Sequence, residues 1–310
     1  MTERAIQARL SAAELGVTDD LRGFELLARL ARVTFVTGKG GVGKTTVAAA
    51  LASLAGERGE AVLVELGDGA GGRRALGEAP VHHEVITAGG ALEAAAARVF
   101  GSRWLAHLVL GNRPVQRFLA AAPGFHELAA LDQVLSLAAA RPRARIFVDL
   151  PATGHGFAWL RAAHQLAPAL VSGPAFDLVR RVASAVADPA ESSIVIVTLP
   201  EPLVMRETTE LCASLRAGLG VAPVAVVVNR ASPRIPRGAV AAAAVLAESG
   251  DSTLARAASA ALVALEAHEA ASREAAAALA ALAERARIPH LTLGDASLSE
   301  PSSAALRRAS

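Results

Sequence analysis

Cysteine occurs only once in this chain of 310 residues, at Cys212. A single cysteine excludes a disulfide framework within the chain, and it also excludes a cysteine cluster for zinc or iron–sulfur within one subunit. The simplest interpretation is a reduced thiol in the cytoplasm. Residues 1–30 carry charges every few positions and do not follow the pattern of a signal peptide. We therefore expect a cytoplasmic protein that is not exported.

Long hydrophobic runs are also missing. The alanine-rich runs at residues 239–247 and 275–283 are too short, and too closely flanked by Glu, Asp and Arg, to span a bilayer, so we expect no integral membrane segment. A hydrophobic fraction of 53% with 19% charged residues suffices for a large core and argues against disorder. A net charge of only +2 gives no basis for a nucleic-acid partner.

Lysine is nearly absent, because 31 residues are basic and all except Lys39 and Lys44 are arginine. Both lysines lie in one glycine-rich segment that fits the pattern G-x-x-x-x-G-K-[ST]. Since this composition uses arginine elsewhere, the two lysines indicate chemistry that a planar guanidinium cannot perform. The pattern predicts a phosphate-binding loop made of Gly38, Lys39, Gly40, Gly41, Val42, Gly43, Lys44, Thr45 and Thr46.

The surroundings of this loop agree with the prediction. A short apolar, β-branched run at residues 33–36 predicts a buried strand before it, and residues 45–55 predict a helix after it, with the positive end of the helix facing the loop. In such a loop Lys44 reaches the terminal phosphates and the hydroxyl of Thr45 binds Mg²⁺. The alternative is a glycine-rich turn with two solvated lysines.

Apolar runs alternate with helical patterns along the rest of the chain, which is typical of a parallel sheet covered on both faces. We predict strands at residues 33–36, 61–65, 145–150, 194–199, 224–228 and 290–293. The expected fold class is α/β, a mostly parallel, doubly wound sheet with helices on both faces. Functional groups should then lie beyond the carboxyl ends of the strands.

We predict a single domain over residues 1–310. Its expected parts are an N-terminal helical extension that includes a capping-box spacing at Ser11, a mainly helical insertion, alanine-rich helices, and a last strand with a tail. In the same order, these parts occupy residues 1–30, 80–141, 237–287 and 288–310.

Asp149 lies at the end of the third predicted strand. Nucleotide hydrolases place a carboxylate there to hold Mg²⁺, usually through water. Taken alone, an aspartate at the end of a strand fits a helix cap equally well. Beside a phosphate loop, we predict that Asp149 joins Thr45 at the metal.

Lys39 directly follows the first glycine, so the loop resembles the deviant phosphate loop G-K-G-G-x-G-K-[ST] of the MinD-like ATPases. Three further stretches resemble one branch of that class, the ArsA and tail-anchored-protein-targeting ATPases. They are D-x-x-x-T-G-H at residues 149–155, P-E-x-x-x-x-x-E-T at 200–208 and P-G-x-x-E-L at 123–128. The resemblance covers residues 32–295 and implies a phosphate-loop NTPase of the MinD/ArsA kind.

The resemblance implies that ATP or ADP binds with Mg²⁺, and that ATP drives a homodimer or a heterodimer with a related subunit. Lys39 would then reach the partner's nucleotide, as an arginine finger does elsewhere, although it could instead add positive potential to its own site. Asn229, at the end of the fifth predicted strand, matches the position that reads adenine. The alternative is that Asn229 only fills a loop.

The sequence departs from the pattern of the related ATPases after the second predicted strand. Relatives place an aspartate there to orient the attacking water, but Gly67 occupies that position and Asp68 follows one residue later. A glycine-rich loop could still deliver Asp68, because glycine tolerates unusual backbone angles. Otherwise Glu65 serves, or neither residue does and turnover is slow or needs a partner's group. The predicted catalytic residues are Lys39, Lys44 and Asp68.

The helical insertion of tail-anchored-protein-targeting relatives forms an apolar groove for a client's membrane helix. Apolar residues that could line such a groove here are Val99, Phe100, Trp104, Leu105, Leu108, Val109, Phe118 and Leu119. The alternative is that they pack onto the domain below, as stripes of aromatics and leucines usually do. With two methionines in the chain, the methionine-rich lining of promiscuous grooves is absent.

Two functional hypotheses follow. The first is an ATP-hydrolysing, nucleotide-switched dimer that handles an apolar protein client or acts as an assembly or targeting factor. Arsenite is not the expected cargo, because the pump-type ATPases capture it with several thiolates and one cysteine per chain cannot supply them within a subunit. The second is a positioning ATPase of the MinD or ParA kind, which binds membrane or DNA as an ATP-bound dimer. A third class, a small-molecule kinase or synthetase on the same fold, would not need Lys39.

Overall fold

Seven strands form one sheet in the computed structural model, which describes residues 23–67, 69–121, 124–151, 155–231, 236, 238–249, 252–286 and 288–294. The strands are β1 (Val33–Gly38), β2 (Ala61–Leu66), β3 (His82–Ile86), β4 (Arg145–Asp149), β5 (Ser192–Thr198), β6 (Ala225–Ala231) and β7 (His290–Gly294). Their spatial order is β3-β2-β4-β1-β5-β6-β7, and every neighbouring pair is parallel. The predicted α/β class is therefore confirmed.

Twelve α-helices lie within the same ranges. They are α1 (Gly23–Arg29), α2 (Lys44–Gly56), α3 (Ala70–Leu76), α4 (Ala88–Phe100), α5 (Arg103–Leu110), α6 (Arg113–Ala121), α7 (Phe125–Ala140), α8 (His155–Leu166), α9 (Pro174–Ala187), α10 (Pro202–Leu219), α11 (Ala239–Ala247) and α12 (Ser252–Ala286). Among these described helices, none is both long and apolar enough to cross a membrane.

The sheet has a hydrophobic core on each face. In β5, Ile194 and Ile196 pack into one core, whereas Val195 and Val197 pack into the other, as the two-residue period of a strand requires. Helices α1 and α2 contribute to the second core, and helices α4, α7, α8, α9 and α10 contribute to the first. Because β1 lies between β4 and β5, the segment that follows it is at the middle of the sheet's carboxyl edge.

Strand β3 is absent from the sequence-based prediction. In its sequence His-His-Glu-Val-Ile only Val85 and Ile86 are apolar, so no apolar run marks the strand. It lies at the edge of the sheet beside β2, where partial exposure permits polar side chains. The stretch 80–141, predicted as mainly helical, therefore begins with an edge strand of the sheet and continues with helices. The predicted cap at Ser11 lies outside the described residues.

The helices that cover the first core are tied together at a buried carboxylate. Asp132 on α7 is fully buried and accepts hydrogen bonds from Arg98 of α4 and Arg181 of α9. Arg181 also lies 3.2 Å from the hydroxyl of Ser136. Because hydrogen bonds between charged groups are stronger than neutral ones, these contacts hold three helices in a fixed arrangement.

Replacing this carboxylate by an amide, Asp132→Asn, is expected to lower the free energy of unfolding by about 2–4 kcal/mol. The amide carries no charge, and it turns an NH₂ group toward one of the two guanidinium groups. Urea unfolding followed by circular dichroism measures the change. Asp177→Asn, in the exposed first turn of α9, is the control and should cost less than about 1 kcal/mol. Equal effects would show that the two arginine contacts contribute little.

Candidate functional site

The glycine-rich segment forms the turn between β1 and α2. Gly43 has a φ of 90°, and a Cβ atom there would lie 2.4 Å from Nδ2 of Asn229. Gly38 has a φ of 144°, and its Cβ would lie 2.1 Å from the carbonyl oxygen of Val197. Both positions therefore require glycine, because the side chain or backbone of a neighbouring strand approaches too closely for any other residue.

The buried lysine of the loop begins α2. Lys44 is 7% exposed, and its Nζ donates a hydrogen bond to the carbonyl oxygen of Lys39 at 3.0 Å. Burial lowers the pKa of Lys44, and the charge of Asp149 acts in the opposite direction. The first turn of α2 contains no acidic residue, so the positive end of the helix is not neutralised there. This arrangement suits an anion such as a phosphate.

Thr45 and Asp149 meet beside this lysine. Oγ1 of Thr45 donates to Oδ2 of Asp149 at 2.5 Å. Burial raises the pKa of Asp149 to about 6; the bond from Thr45 and the charge of Lys44 lower it, and the charge of Glu65 raises it. The other oxygen of Asp149, Oδ1, is buried and has no hydrogen-bond partner among the described residues. A buried carboxylate oxygen without a partner, next to a threonine hydroxyl, fits the oxygen ligands that Mg²⁺ takes.

Asn229 supports the loop from β6. Its Nδ2 donates to the carbonyl oxygen of Val42 at 2.9 Å. The next residue, Arg230, has a φ of 55°, an unusual value for a residue other than glycine, and it lies where the pairing of β6 with β7 shifts register. The role predicted for Asn229 in reading adenine stays a prediction.

The second lysine of the loop has a partner far along the chain. Nζ of Lys39 lies 2.9 Å from Oε1 of Glu207 on α10, and the two side chains are 41% and 42% exposed. A cavity of about 330 Å³ lies beside this pair and is also lined by Phe157 of α8. Glu207 is the second glutamate of the 200–208 stretch. Sequence reasoning missed the contact, because 168 positions separate the two residues and no local pattern indicates it.

The carboxylate of Glu65 binds the first turn of α3. Its Oε1 accepts from the backbone N–H of Gly71 at 3.2 Å, and its Oε2 accepts from Gly72 at 2.7 Å. Nε2 of His83 lies 3.2 Å from the same Oε2. Because both oxygens have partners, this geometry disfavours the alternative in which Glu65 orients the attacking water. The predicted catalytic residue Asp68 lies outside the described residues.

Other predicted motif residues are only partly described. Thr153 and Gly154 lie outside the described ranges, and His155 begins α8. Pro123 also lies outside them, while Gly124 precedes α7 with a φ of 99°. The roles that the resemblance implies for these two stretches stay predictions.

Four of the apolar residues that could line a groove in the insertion are exposed. Trp104 and Leu108 on α5 are 70% and 58% exposed, and Phe100 and Leu105 are exposed as well. None of the described side chains in this set is buried, including those of Val99, Val109 and Leu119. The alternative that they pack onto the domain below is therefore disfavoured for the four exposed residues, while Val99, Val109 and Leu119 are half-buried. The side chain of Phe118 is outside the described part. Large exposed apolar surfaces mark sites of interaction.

A central strand, a glycine-rich turn with a buried lysine, and a threonine–aspartate pair at the carboxyl edge of a parallel sheet define a phosphate-loop nucleotide-binding protein. The family model of the CobQ/CobB/MinD/ParA nucleotide binding domain matches residues 33–255, which is more than half of the chain. The chain belongs to this family. The match begins at the first residue of β1 and ends within α12. No curated protein matches the chain.

Proposed function

We propose that this protein is an ATP-hydrolysing, nucleotide-switched dimer of the ArsA-like branch of its family, acting on an apolar protein client or as an assembly or targeting factor. The observation that carries the proposal is the position of Lys39, whose ammonium pairs with Glu207 at the surface while Lys44 occupies the loop. The stretches 149–155 and 200–208 support the branch.

Nucleotide binding rests on the loop and on its neighbouring strands. The backbone amides of the loop and the ammonium of Lys44 would hold the phosphates, and Thr45 and Asp149 would hold Mg²⁺. When bound, the metal neutralises phosphate charge and polarises the phosphoryl group that is transferred. The chain prepares the site by burying Lys44 and Asp149, since charges interact more strongly away from water. Asn229 fixes the loop through Val42.

Lys39 can leave its partner easily. An ion pair as exposed as Lys39–Glu207 contributes about 1 kcal/mol or less to stability, so a second subunit needs little free energy to displace it. The ammonium would then neutralise charge on the phosphates bound by the neighbouring subunit. Because Glu207 belongs to α10, release of Lys39 would also break the contact of the loop with this helix.

Hydrolysis also requires a group that orients the attacking water. We propose Asp68 for this role, because Glu65 uses both carboxylate oxygens to hold α3. The position of Asp68, one residue later than in related ATPases, is consistent with slow turnover.

The client surface lies on the helices that follow β3. Trp104 and Leu108 are its most exposed members, and Phe100 and Leu105 extend it. Helix α4, which carries Phe100, is anchored to α7 by the bond between Arg98 and Asp132. An exposed aromatic and leucine surface that begins on an anchored helix and continues on the next one suits an apolar helical segment of another protein.

Light scattering with Mg²⁺ and a hydrolysis-resistant ATP analogue tests the dimer. The mass of the wild-type chain is expected to rise from 31.5 kDa to twice that value. Lys39→Ala should bind the analogue but form less dimer. Glu207→Gln, which keeps the lysine and weakens its competing partner, should form at least as much dimer as the wild type.

An apolar helical peptide of about 20 residues tests the client in the same samples. It should elute with the analogue-bound wild-type dimer and lose binding in Trp104→Ser and Leu108→Ser. Val263→Ser, which changes an equally exposed apolar residue on α12, is the control. A monomer with bound analogue would contradict the proposal and favour a kinase or synthetase. ATP-dependent binding to anionic vesicles or duplex DNA, without peptide binding, would favour a positioning ATPase.

A further inference from the structure

A carboxylate and an imidazole are buried together next to the proposed metal site. Glu65 is the penultimate residue of β2 and pairs in register with Asp149 on the adjacent strand β4. The side chain of Glu65 is 11% exposed and that of His83 is 5% exposed, with 3.2 Å between Oε2 and Nε2. The two residues come from neighbouring strands, β2 and β3, which are paired in parallel.

The carboxylate of this pair binds the first turn of α3. It accepts the backbone N–H groups of Gly71 and Gly72, which lie at the amino end of the helix and have no partner within it. A Cβ atom at position 72 would lie 2.5 Å from Oε2 of Glu65 and 2.8 Å from Nε2 of His83. The glycine is therefore needed for the helix to approach the pair.

The same turn of α3 touches the phosphate loop's helix. A Cβ atom at position 71 would lie 3.1 Å from Oε1 of Glu65 and 3.3 Å from Cγ2 of Thr45. The turn is thus enclosed between the Glu65 carboxylate and the threonine that is proposed to hold the metal. Asp68 precedes Gly71 by three positions in the sequence, so the residue proposed to orient the attacking water is close along the chain to this turn.

The main role of the His83 ring is its hydrogen bond to the Glu65 carboxylate and not the filling of space in the core. If Nε2 carries the proton that is donated to Glu65, Nδ1 of the neutral ring is an acceptor. Nδ1 is buried and has no hydrogen-bond partner among the described residues, which is unfavourable for a ring that only fills space. The neighbouring His82 points to the other face of β3, where it lies beside Glu84 and both side chains are partly exposed. His82 and His83 each lie beside a glutamate, but of these two pairs it is the His83–Glu65 pair that also binds the first turn of α3.

We propose that Glu65 and His83 are positioning residues, which hold the first turn of α3 against Thr45 and thereby set how the segment before that turn meets the bound nucleotide. His83 keeps the carboxylate directed at the two amides, and neither residue touches the reacting atoms. The effect on turnover rests on the proposed ATPase function, whereas the effect on α3 does not.

Hydrogen exchange of the peptide spanning residues 66–76 tests the pair directly. His83→Leu removes the donor, so the amides of Gly71 and Gly72 are expected to exchange about tenfold faster or more. His83→Gln keeps an N–H donor at a similar reach and should restore most of the protection. His82→Leu is the matched control and should leave exchange in this peptide unchanged.

The kinetic arm separates positioning from binding. In His83→Leu the dissociation constant of the ATP analogue should stay within about twofold of wild type, because Lys44 and the loop are untouched, while kcat falls about tenfold and KM is unchanged. Gly72→Ala, which displaces the pair from the helix side, should give the same exchange and kinetic pattern. Gly59→Ala, where an added Cβ meets nothing within 4 Å in the part of the chain that the structure describes, is its control.

Wild-type exchange at residues 66–76 in both His83→Leu and Gly72→Ala would overturn the proposal. So would equal losses in His83→Leu and His83→Gln, since these would indicate a packing role alone. A wild-type chain that binds the analogue without hydrolysing ATP would contradict the proposed function. In that case the hydrogen-exchange experiment would still show whether Glu65 and His83 hold the first turn of α3.

Discussion

Replacing Lys44 with alanine is expected to weaken nucleotide binding about a hundredfold or more, which corresponds to about 3 kcal/mol. The ammonium lies inside the loop, is almost completely buried and, among the described residues, donates a hydrogen bond to the neutral Lys39 carbonyl at 3.0 Å. A phosphate that enters the loop would therefore interact with a charge that is poorly screened by water. Titration calorimetry with the ATP analogue and Mg²⁺ measures the loss.

Two further variants show whether charge or shape is responsible. Lys44→Arg keeps the positive charge but places a planar, five-donor group where a compact ammonium fits, and it should lose most of the affinity as well. Lys39→Ala should retain binding within about threefold, because its side chain pairs with Glu207 outside the loop. Equal losses in Lys44→Ala and Lys39→Ala would show that Lys39 acts on its own nucleotide.

Much of the fold could be predicted because its signals are local. Short apolar runs mark most of the strands, and six such runs correspond to β1, β2, β4, β5, β6 and β7. Strand β3 lacks this signal, since an edge strand needs fewer apolar residues and His82, His83 and Glu84 occupy three of its five positions. Its pairing with β2 is a property of the assembled sheet.

The candidate site also has a part that local sequence predicts and a part that depends on tertiary packing. The loop, Thr45 and the strand-ending Asp149 follow from residue types at fixed offsets, and the structure places these two side chains in contact. The partner of Lys39 could not be predicted, because Glu207 comes close only when α10 packs against β5, the strand next to β1. The exposure of Trp104 was open for a similar reason: an apolar stripe has the same spacing whether it covers a sheet or faces water.

Replacing Asp149 with asparagine is expected to stabilise the chain at pH 7.5 in the absence of nucleotide and metal, by about 1–3 kcal/mol. Burial raises the pKa of Asp149 from its ordinary 3.8 to about 6. An aspartate with a raised pKa favours the folded state while it is protonated. This contribution is present below about pH 4 and is lost as the pH rises through about 6. Asparagine has no charge to bury, and its carbonyl still accepts the hydrogen bond from Thr45.

Urea unfolding at pH 4 and at pH 7.5 tests this sign. The two chains should be nearly equal in stability at pH 4, and the variant should be the more stable at pH 7.5. Asp177→Asn, which changes an exposed carboxylate, is the control and should show little difference between the two pH values. A wild-type chain more stable than Asp149→Asn at pH 7.5 would contradict the raised pKa.

Adding Mg²⁺ and the ATP analogue should reverse the order of stability. A ligand at a hundred times its dissociation constant stabilises the folded state by about 2.7 kcal/mol, and the variant should gain much less, because it lacks the carboxylate proposed to hold the metal. A helix-capping role for Asp149 predicts no such reversal, since asparagine caps helices as well as aspartate does. The reversal would therefore assign the buried charge of Asp149 to ligand binding, at a cost in stability when the ligand is absent.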